Sequence, residues 1–263
     1  MKDTDKVIHL NERQNRIMEI MRQQNAVSVA TLSSLMEVTI RKDLTMLEEQ
    51  HMLYRVHGSA ILVNRYINDR SVAEKEKLYA DEKHAIGVYA ARLIGPDDTI
   101  MVASGTTTLA MAREIGQNDR LTVITSAFSV ASELSTRRSV DVIQLGGMVR
   151  RSSLSVLGPF AEQMLGSLSC SKLFMGVDGV DLDYGVTTTN HIEASLHKQM
   201  IASVQKVIVL ADSSKFGRRG FSKICDMSAV DQIITDDKAP ASVIERLQES
   251  GVDVTVVPVG RRE

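Results

Sequence analysis

The run Ile100-Met101-Val102-Ala103-Ser104-Gly105-Thr106-Thr107-Thr108 decides how most of this chain reads. Its apolar residues predict a buried strand over 100–103, followed by a turn that leads directly into a helix over 108–115. Gly105 permits tight backbone turning, the threonines supply hydroxyls, and a helix N-terminus aims free N–H groups at an anion. Phosphate is the natural occupant of a loop made of Gly105, Thr106, Thr107 and Thr108. The same Gly-Thr-Thr also serves as a plain strand-to-helix turn with a capping threonine.

Working outward, strand-like runs recur at 121–125, 140–145, 173–177, 207–211, 232–235 and 252–257. Helical stretches lie between several of them, at 127–134, 192–204 and 240–250, and an amphipathic helix over 82–94 precedes the first, stopped by Gly95-Pro96. This alternation predicts an α/β domain with a largely parallel sheet. In such folds ligands bind beyond the carboxyl ends of the strands, so the residue just after each strand is the informative one.

Those loops share a polar character. Thr125-Ser126 ends one, and Gly146-Gly147-Met148-Val149-Arg150-Arg151 forms another, in which paired glycines admit a ligand to the backbone and Arg150 can clamp an anion bidentately. Solvated loop charge is the plainer role for these arginines. Asp178, in Val177-Asp178-Gly179, can accept from sugar hydroxyls or act as a base, and equally is a turn-forming Asp-Gly. Lys215, in Asp212-Ser213-Ser214-Lys215-Phe216, is a compact point charge suited to phosphate, which Asp212 could fix; a surface turn fits as well. Together these loops point to a small, anionic, hydroxylated ligand.

Before residue 65 the texture is different: helical periodicity dominates and Gly is nearly absent. Residues 12–24 carry Ile17, Ile20 and Met21 on one face; 29–36 give a short second helix with Leu32 and Leu35 on one side. Thr39 offers an N-cap hydroxyl to a third helix, in which Ile40, Leu44 and Leu47 recur at helical spacing. Two short extended runs around Gly58-Ser59, within 53–62, read as a β-hairpin. Three small helices and a hairpin describe a winged helix-turn-helix. The expected division is this module over 1–65, a polar connector over 66–80, and the α/β domain over 81–263.

Residues 1–65 hold nine Lys/Arg against eight Asp/Glu, so placement matters more than net charge. Arg41 and Lys42 fall in the first turn of the third helix, beside Thr39, where a recognition helix reaches base edges and phosphates. Arg55 and His57 lie on the hairpin, where a wing meets the backbone or minor groove. A small protein-interaction domain with incidental charge is the competing assignment.

Composition removes other classes. The 263 residues are 43% hydrophobic and 24% charged with net charge −2, which suits a folded globular chain and rules out a polybasic one. Aromatics are 4% with no Trp, too few for a single-strand stacking platform. Two cysteines 55 residues apart, Cys170 and Cys225, exclude a disulfide scaffold and suit a reducing cytosol. The N-terminus lacks a secretory apolar run, and no stretch is long and apolar enough to span a membrane, so a cytoplasmic location is expected. Six scattered histidines give no metal-ligand spacing, and His191 and His197, six apart, do not share a helix face. No metal or cofactor is expected. Hydrolase, nucleotide-phosphate and dinucleotide motifs are missing.

Other segments carry a resemblance: Glu12-Arg13, Thr39-Ile40-Arg41-Lys42-Asp43-Leu44, Leu47-Glu48 and Arg55-Val56-His57-Gly58 at the N-terminal end, then Gly105 to Thr108, Gly146-Gly147, Gly158-Pro159, Phe174-Met175-Gly176, Gly185-Val186-Thr187-Thr188, Glu193-Ala194, Asp212 to Phe216 and Ile234-Thr235-Asp236. In these the chain resembles the DeoR family of bacterial transcriptional regulators. The resemblance implies a winged helix-turn-helix joined to a domain similar to ribose-5-phosphate isomerase, in a repressor of a sugar catabolic operon released by a phosphorylated sugar. It implies that Gly105 to Thr108 cradle the phosphate and that Asp178 and Lys215 contact the sugar or its phosphate, with Arg150 in support. The run 184–190 looks most like amino-sugar or galactitol-type members. Only Glu37 and Val38 separate Met36 from Thr39, where the family carries a longer turn, and Ala103, Ser126 and Ser59 replace its usual Asp, Asn and Gly.

The expected function is therefore DNA-binding regulation by a homo-oligomer, dimer or tetramer, acting on a double-stranded operator. The rival from another class is a sugar-phosphate isomerase or deaminase carrying an accessory helical domain, with Asp178 as its base.

Overall fold

The computed structural model describes residues 10–24, 26–36, 40–50, 52–56, 59–62, 71–116 and 120–260. The chain divides into two compact units, Met1–Asn64 and Arg65–Glu263.

The first unit contains α1 (Glu12–Gln24), β1 (Ala26–Ser28), α2 (Val29–Met36), α3 (Arg41–Glu49), β2 (Leu53–Val56) and β3 (Ser59–Leu62). The helical periodicity puts Ile17, Met21, Leu32, Ile40, Leu44 and Leu47 into one core with Leu53 and Ala60, all fully buried. Leu35, expected beside Leu32, instead points out, 60% exposed. The hairpin β2–β3 gains a third strand that the sequence pattern does not announce: β1 pairs antiparallel with β3, Val27 opposite Ala60. Three helices and a three-stranded antiparallel sheet make this the winged helix-turn-helix. An ion pair inside it, Arg13 Nε to the buried Asp43 Oδ2 at 2.6 Å, ties α1 to α3.

The second unit begins with α4 (Val72–Lys77) and α5 (Ala80–Ala91). Within the stretch expected as connector, α4 thus covers Val72–Lys77 and α5 starts at Ala80. There follow β4 (Thr99–Val102), α6 (Thr106–Glu114), β5 (Leu121–Thr125), α7 (Phe128–Ser135) and β6 (Val140–Gln144). Next come the antiparallel pair β7 (Met148–Arg150) and β8 (Ser155–Leu157), α8 (Pro159–Leu165) and β9 (Cys170–Gly176). The rest is β10 (Gly179–Asp181), β11 (Gly185–Thr188), α9 (His191–Ala202), β12 (Val204–Leu210), β13 (Ser222–Cys225), β14 (Gln232–Asp236), α10 (Ala241–Glu249) and β15 (Asp253–Val257).

All seven strands expected from the apolar runs join one parallel sheet in the order β15-β14-β12-β9-β4-β5-β6. Its central strands read as unbroken apolar runs because both faces are covered. Ile100, Val102, Phe174, Ile208 and Ile234 pack in one cluster with Ile86 and Ala90 of α5, Leu109 and Met111 of α6, and Val130 and Leu134 of α7. The alternate residues Met101, Leu173, Met175, Val209 and Ile233 are also fully buried. The chain lays down β4, β5 and β6 in one direction, then returns to place β9 on the other side of β4 and builds outward again. The strand order therefore reverses between β4 and β9, which is where a doubly wound sheet opens a crevice at its carboxyl edge.

Candidate functional site

That crevice holds a cleft lined from both flanking strands. Ser104, Thr106 and Thr107 come from the end of β4 and the start of α6, and Gly176, Val177 and Asp178 from the end of β9. Glycine is needed at Gly105 for its backbone, which has φ +155, and for its turn, since a Cβ there would lie 3.2 Å from the Thr108 hydroxyl; towards the Gly176 Cα, at 3.6 Å, it would make only ordinary contact. Three further walls are supplied by Arg150, by Thr188 with Glu193 and His197, and by Lys215. Val72 and Lys75 of α4 close the remaining side.

The cleft is densely bonded. Asp178, 8% exposed, accepts from Lys75 Nζ at 2.7 Å, from the Thr189 N–H at 3.2 Å and from the Thr189 hydroxyl at 3.3 Å. Burial alone would raise its carboxyl pKa, but the charges of Lys75 and Lys215, with these hydrogen bonds, hold it below the ordinary value. Glu193 accepts from the Ser104 hydroxyl at 2.9 Å, the Thr188 hydroxyl at 2.7 Å and Arg150 Nη1 at 2.7 Å. The anchoring of α9 is local: the Asn190 side chain caps it by accepting from the N–H groups of Ile192 and Glu193.

One side of the cleft is unspent. The amino end of α6 has no side-chain cap, and among the described residues the hydroxyls of Thr106 and Thr107 make no hydrogen bond. The Lys215 ammonium likewise has no ion pair or hydrogen bond among the described residues, unlike Lys75 and Arg150. Uncapped N–H groups, two hydroxyls and an unpaired cation together suit an anion. The free volume is about 50 Å³. That falls well below the roughly 300–1,000 Å³ of ligand pockets, so anything larger than a few waters must displace side chains.

Not every expected residue is gathered here. Thr108 is fully buried and its hydroxyl donates to the Gly105 carbonyl at 2.9 Å, so that hydroxyl closes the turn and is not offered to a ligand. Gly146 and Gly147 do not line the cleft. Gly147 adopts φ +154, and a Cβ there would meet the Leu157 carbonyl oxygen at 2.6 Å, so its glycine serves the β7–β8 hairpin. Asp212 does not fix the Lys215 ammonium; its side chain accepts from Ser214 in a short 3₁₀ turn, Ser213–Lys215. Conversely, Lys75, Thr188, Glu193 and His197 line the cleft without having been expected as ligand contacts, although Thr188 and Glu193 fall within the motifs of the resemblance. Ser71-x-x-Glu74, the capping box that starts α4, was the missed sign of Lys75's helix, and the four-residue step from Glu193 to His197 placed both on one face of α9.

A clamp holds α4 in place. Its first N–H, at Val72, donates to the Ser152 carbonyl at 2.8 Å, and the buried Lys83 ammonium donates to the carbonyls of Lys75 and Leu78 at its other end. Burial pushes Lys83 down to about 8, against the opposing pull of Asp212.

In the first unit, Arg41 and Lys42 are both exposed in the first turn of α3. The cap position falls at Ile40, not Thr39, and carries no side-chain cap bond. Arg55 is engaged by Glu48, its Nε at 2.7 Å from Oε2 and its backbone N–H on Oε1 at 2.9 Å. Thr39, His57 and the short Glu37-Val38 turn lie outside the described residues.

Comparison with known proteins gives the family. The DeoR C terminal sensor domain matches residues 79–237, and the DeoR-like helix-turn-helix domain matches residues 13–66. The chain belongs to the DeoR family. It is 37% identical over 257 residues to the putative aga operon transcriptional repressor of Escherichia coli O157:H7, covering 96% of each chain. It is also 37% identical to the uncharacterized HTH-type transcriptional regulator YulB of Bacillus subtilis, covering 95% of this chain and 98% of that one. Among solved structures it is similar to ribose 5-phosphate isomerase A of Methanocaldococcus jannaschii, at 16% identity and TM-score 0.38, over 52% of this chain and 55% of that one.

This DeoR protein is thus a transcriptional regulator and not an enzyme, which disposes of the isomerase or deaminase alternative. Among the described residues no helix is long and apolar enough to cross a membrane. Helix α4 lies between the two matched DeoR segments and inside neither.

Proposed function

We propose that this DeoR regulator is a cytoplasmic, homo-oligomeric repressor of a sugar catabolic operon, dimer or tetramer, whose grip on double-stranded operator DNA is set by a phosphorylated sugar. One observation carries the reading: at the switch point between β4 and β9, the uncapped start of α6, the unbonded hydroxyls of Thr106 and Thr107 and the unpaired Lys215 face one cleft. These groups supply the phosphate end, Gly105 supplies the close turn, and Asp178, with Arg150 and Glu193 beside it, supplies the hydroxyl-binding end. The resemblance to amino-sugar and galactitol-type members gives the sugar class.

Transmission follows from the small free volume. A sugar phosphate enters by parting Lys75 from Asp178, and Lys75 sits on α4, the first described element after the helix-turn-helix unit in sequence. A ligand shifts an equilibrium only by its differential affinity for the two states. A tenfold loss of operator affinity requires a coupling of about 1.4 kcal/mol, within reach of one displaced ion pair.

Twofold assembly accords with the exposed apolar side chains of the β7–β8 hairpin and α8, where Met148, Val149, Leu154 and Phe160 are each about half exposed or more. The deciding experiment is an operator gel shift titrated with a panel of hexose, amino-hexose, hexitol and pentose phosphates. Release by one of them is expected, and the variant Thr107→Ala/Lys215→Ala should bind operator yet ignore that compound. If no phosphorylated sugar alters operator binding, the reading is wrong.

A further inference from the structure

The floor of the cleft contains a residue that the bonding described above leaves unused. His197 is 2% exposed, and neither ring nitrogen has a hydrogen-bond partner. A buried polar atom without a partner is costly, and buried polar side chains are overwhelmingly satisfied by protein or solvent. Its obvious neighbour does not serve it: Glu193, one helical turn earlier on the same face of α9, already accepts from Ser104, Thr188 and Arg150. Asp178 is taken by Lys75 and Thr189. His197 nonetheless lines the cleft.

The charged groups acting on the ring are Glu193, Asp178 and Arg150, and burial together with Arg150 outweighs the two carboxylates and keeps the imidazole neutral. A neutral imidazole offers one donor and one acceptor. A group that is itself both donor and acceptor, the hydroxyl, matches it. A phosphate dianion does not suit this side, because it would face two carboxylates.

We propose that His197 is a specificity-determining residue that reads a hydroxyl on the carbon skeleton of the ligand, at the end of the cleft away from its phosphate. This rests on the sensor reading given above and deepens it. A site built to hydrogen-bond a hydroxyl rejects analogues lacking it, since its own polar groups are then left unpaired. The regulator is thereby expected to separate sugars that share a phosphate but differ at one carbon.

The test compares full-length wild type with His197→Leu by calorimetry, using inorganic phosphate, glucose 6-phosphate, glucosamine 6-phosphate, fructose 6-phosphate and ribose 5-phosphate. For the sugar phosphate that wild type binds best, His197→Leu should weaken binding about tenfold while its Kd for inorganic phosphate stays within about twofold. Equal weakening for both probes, or no change in either, overturns the role of His197 and leaves the sensor reading standing. If wild type binds none of the four sugar phosphates, this inference is overturned, while the sensor reading stands or falls on the wider operator titration. A second measurement covers a variant that fails to fold: in wild type labelled with ¹⁵N-histidine, the His197 ring resonances should shift with the bound sugar phosphate and not with inorganic phosphate, and resonances indifferent to both overturn the assignment.

Discussion

The Lys75 ammonium stands 2.7 Å from the Asp178 carboxylate, so a helix adjoining the DNA-reading unit in sequence fills the cleft in which a sugar would be read. In this arrangement Lys75 is an internal competitor. Replacing it by Met removes the competitor and keeps an unbranched side chain of similar length. Lys75→Met is expected to tighten sugar-phosphate binding about tenfold and to lower the effector concentration that releases operator by the same factor. Calorimetry and a gel-shift titration measure the two. Weaker binding in the variant would instead make Lys75 a direct ligand of the phosphate.

On the DNA side, Arg41 and Lys42 share the first turn of α3, are both exposed, and are assigned different jobs. Arg41→Ala is expected to cost about 1–3 kcal/mol of operator affinity and to relax sequence preference, with effector binding unchanged. Lys42→Ala should weaken all duplexes alike and reduce the salt slope of binding by about 1. Unaltered operator affinity in Arg41→Ala at physiological salt would remove α3 as the reading helix. Arg55→Ala is expected to cost less operator affinity than Arg41→Ala, because Glu48 holds Arg55 through both its backbone and its side chain.

The exposed apolar side chains of α8 and its hairpin set a third expectation. Phe160 is 74% exposed and Met148 62%. Phe160→Asp is expected to shift the protein toward monomer in light scattering and to weaken operator binding, since one recognition helix in one groove gives little specificity. An unchanged mass at micromolar concentration would place the assembly surface elsewhere.

The sheet was legible because a covered parallel strand writes itself as a continuous apolar run, and Leu121–Thr125 falls at its observed ends. Shorter strands left no such mark. β10 and β11 are three and four residues long, bounded by glycine, and their pairing is decided by tertiary contacts such as the Asp178 N–H on the Thr187 carbonyl. Within the cleft, the strand-end rule found Asp178 and Lys215, which sit where the backbone leaves β9 and β12. It could not find Lys75 or His197, because each reaches the cleft from a helix and only the fold brings residue 75 beside residue 178. Thr108 shows the converse limit: three consecutive threonines look alike in sequence, yet helix geometry turns the third onto Gly105.

Acid should act through Asp178, and the sign follows from its environment. Burial works to raise this carboxyl, but Lys75 from α4 and Lys215 from the turn after β12 dominate, while Glu193, His197 and Arg150 stand around it. Its folded pKa is therefore below the ordinary carboxylate value near 3.8. A carboxyl depressed by folding contributes stability that is fully present above its unfolded pKa and is lost as pH falls through the folded one. Asp178→Asn removes the charge and leaves Lys75 without its partner, at an expected cost of roughly 1–3 kcal/mol at pH 7. Because Glu82, Asp98 and Asp181 are depressed as well, falling pH destabilises both proteins, and only the difference between them isolates Asp178. That difference, from urea unfolding at pH 7, 5 and 3, should hold steady down to about pH 4 and shrink below it. A gap between wild type and variant that stays constant to pH 3 would mean that Lys75 gains nothing from the charge on Asp178, and the internal competitor would lose its electrostatic basis.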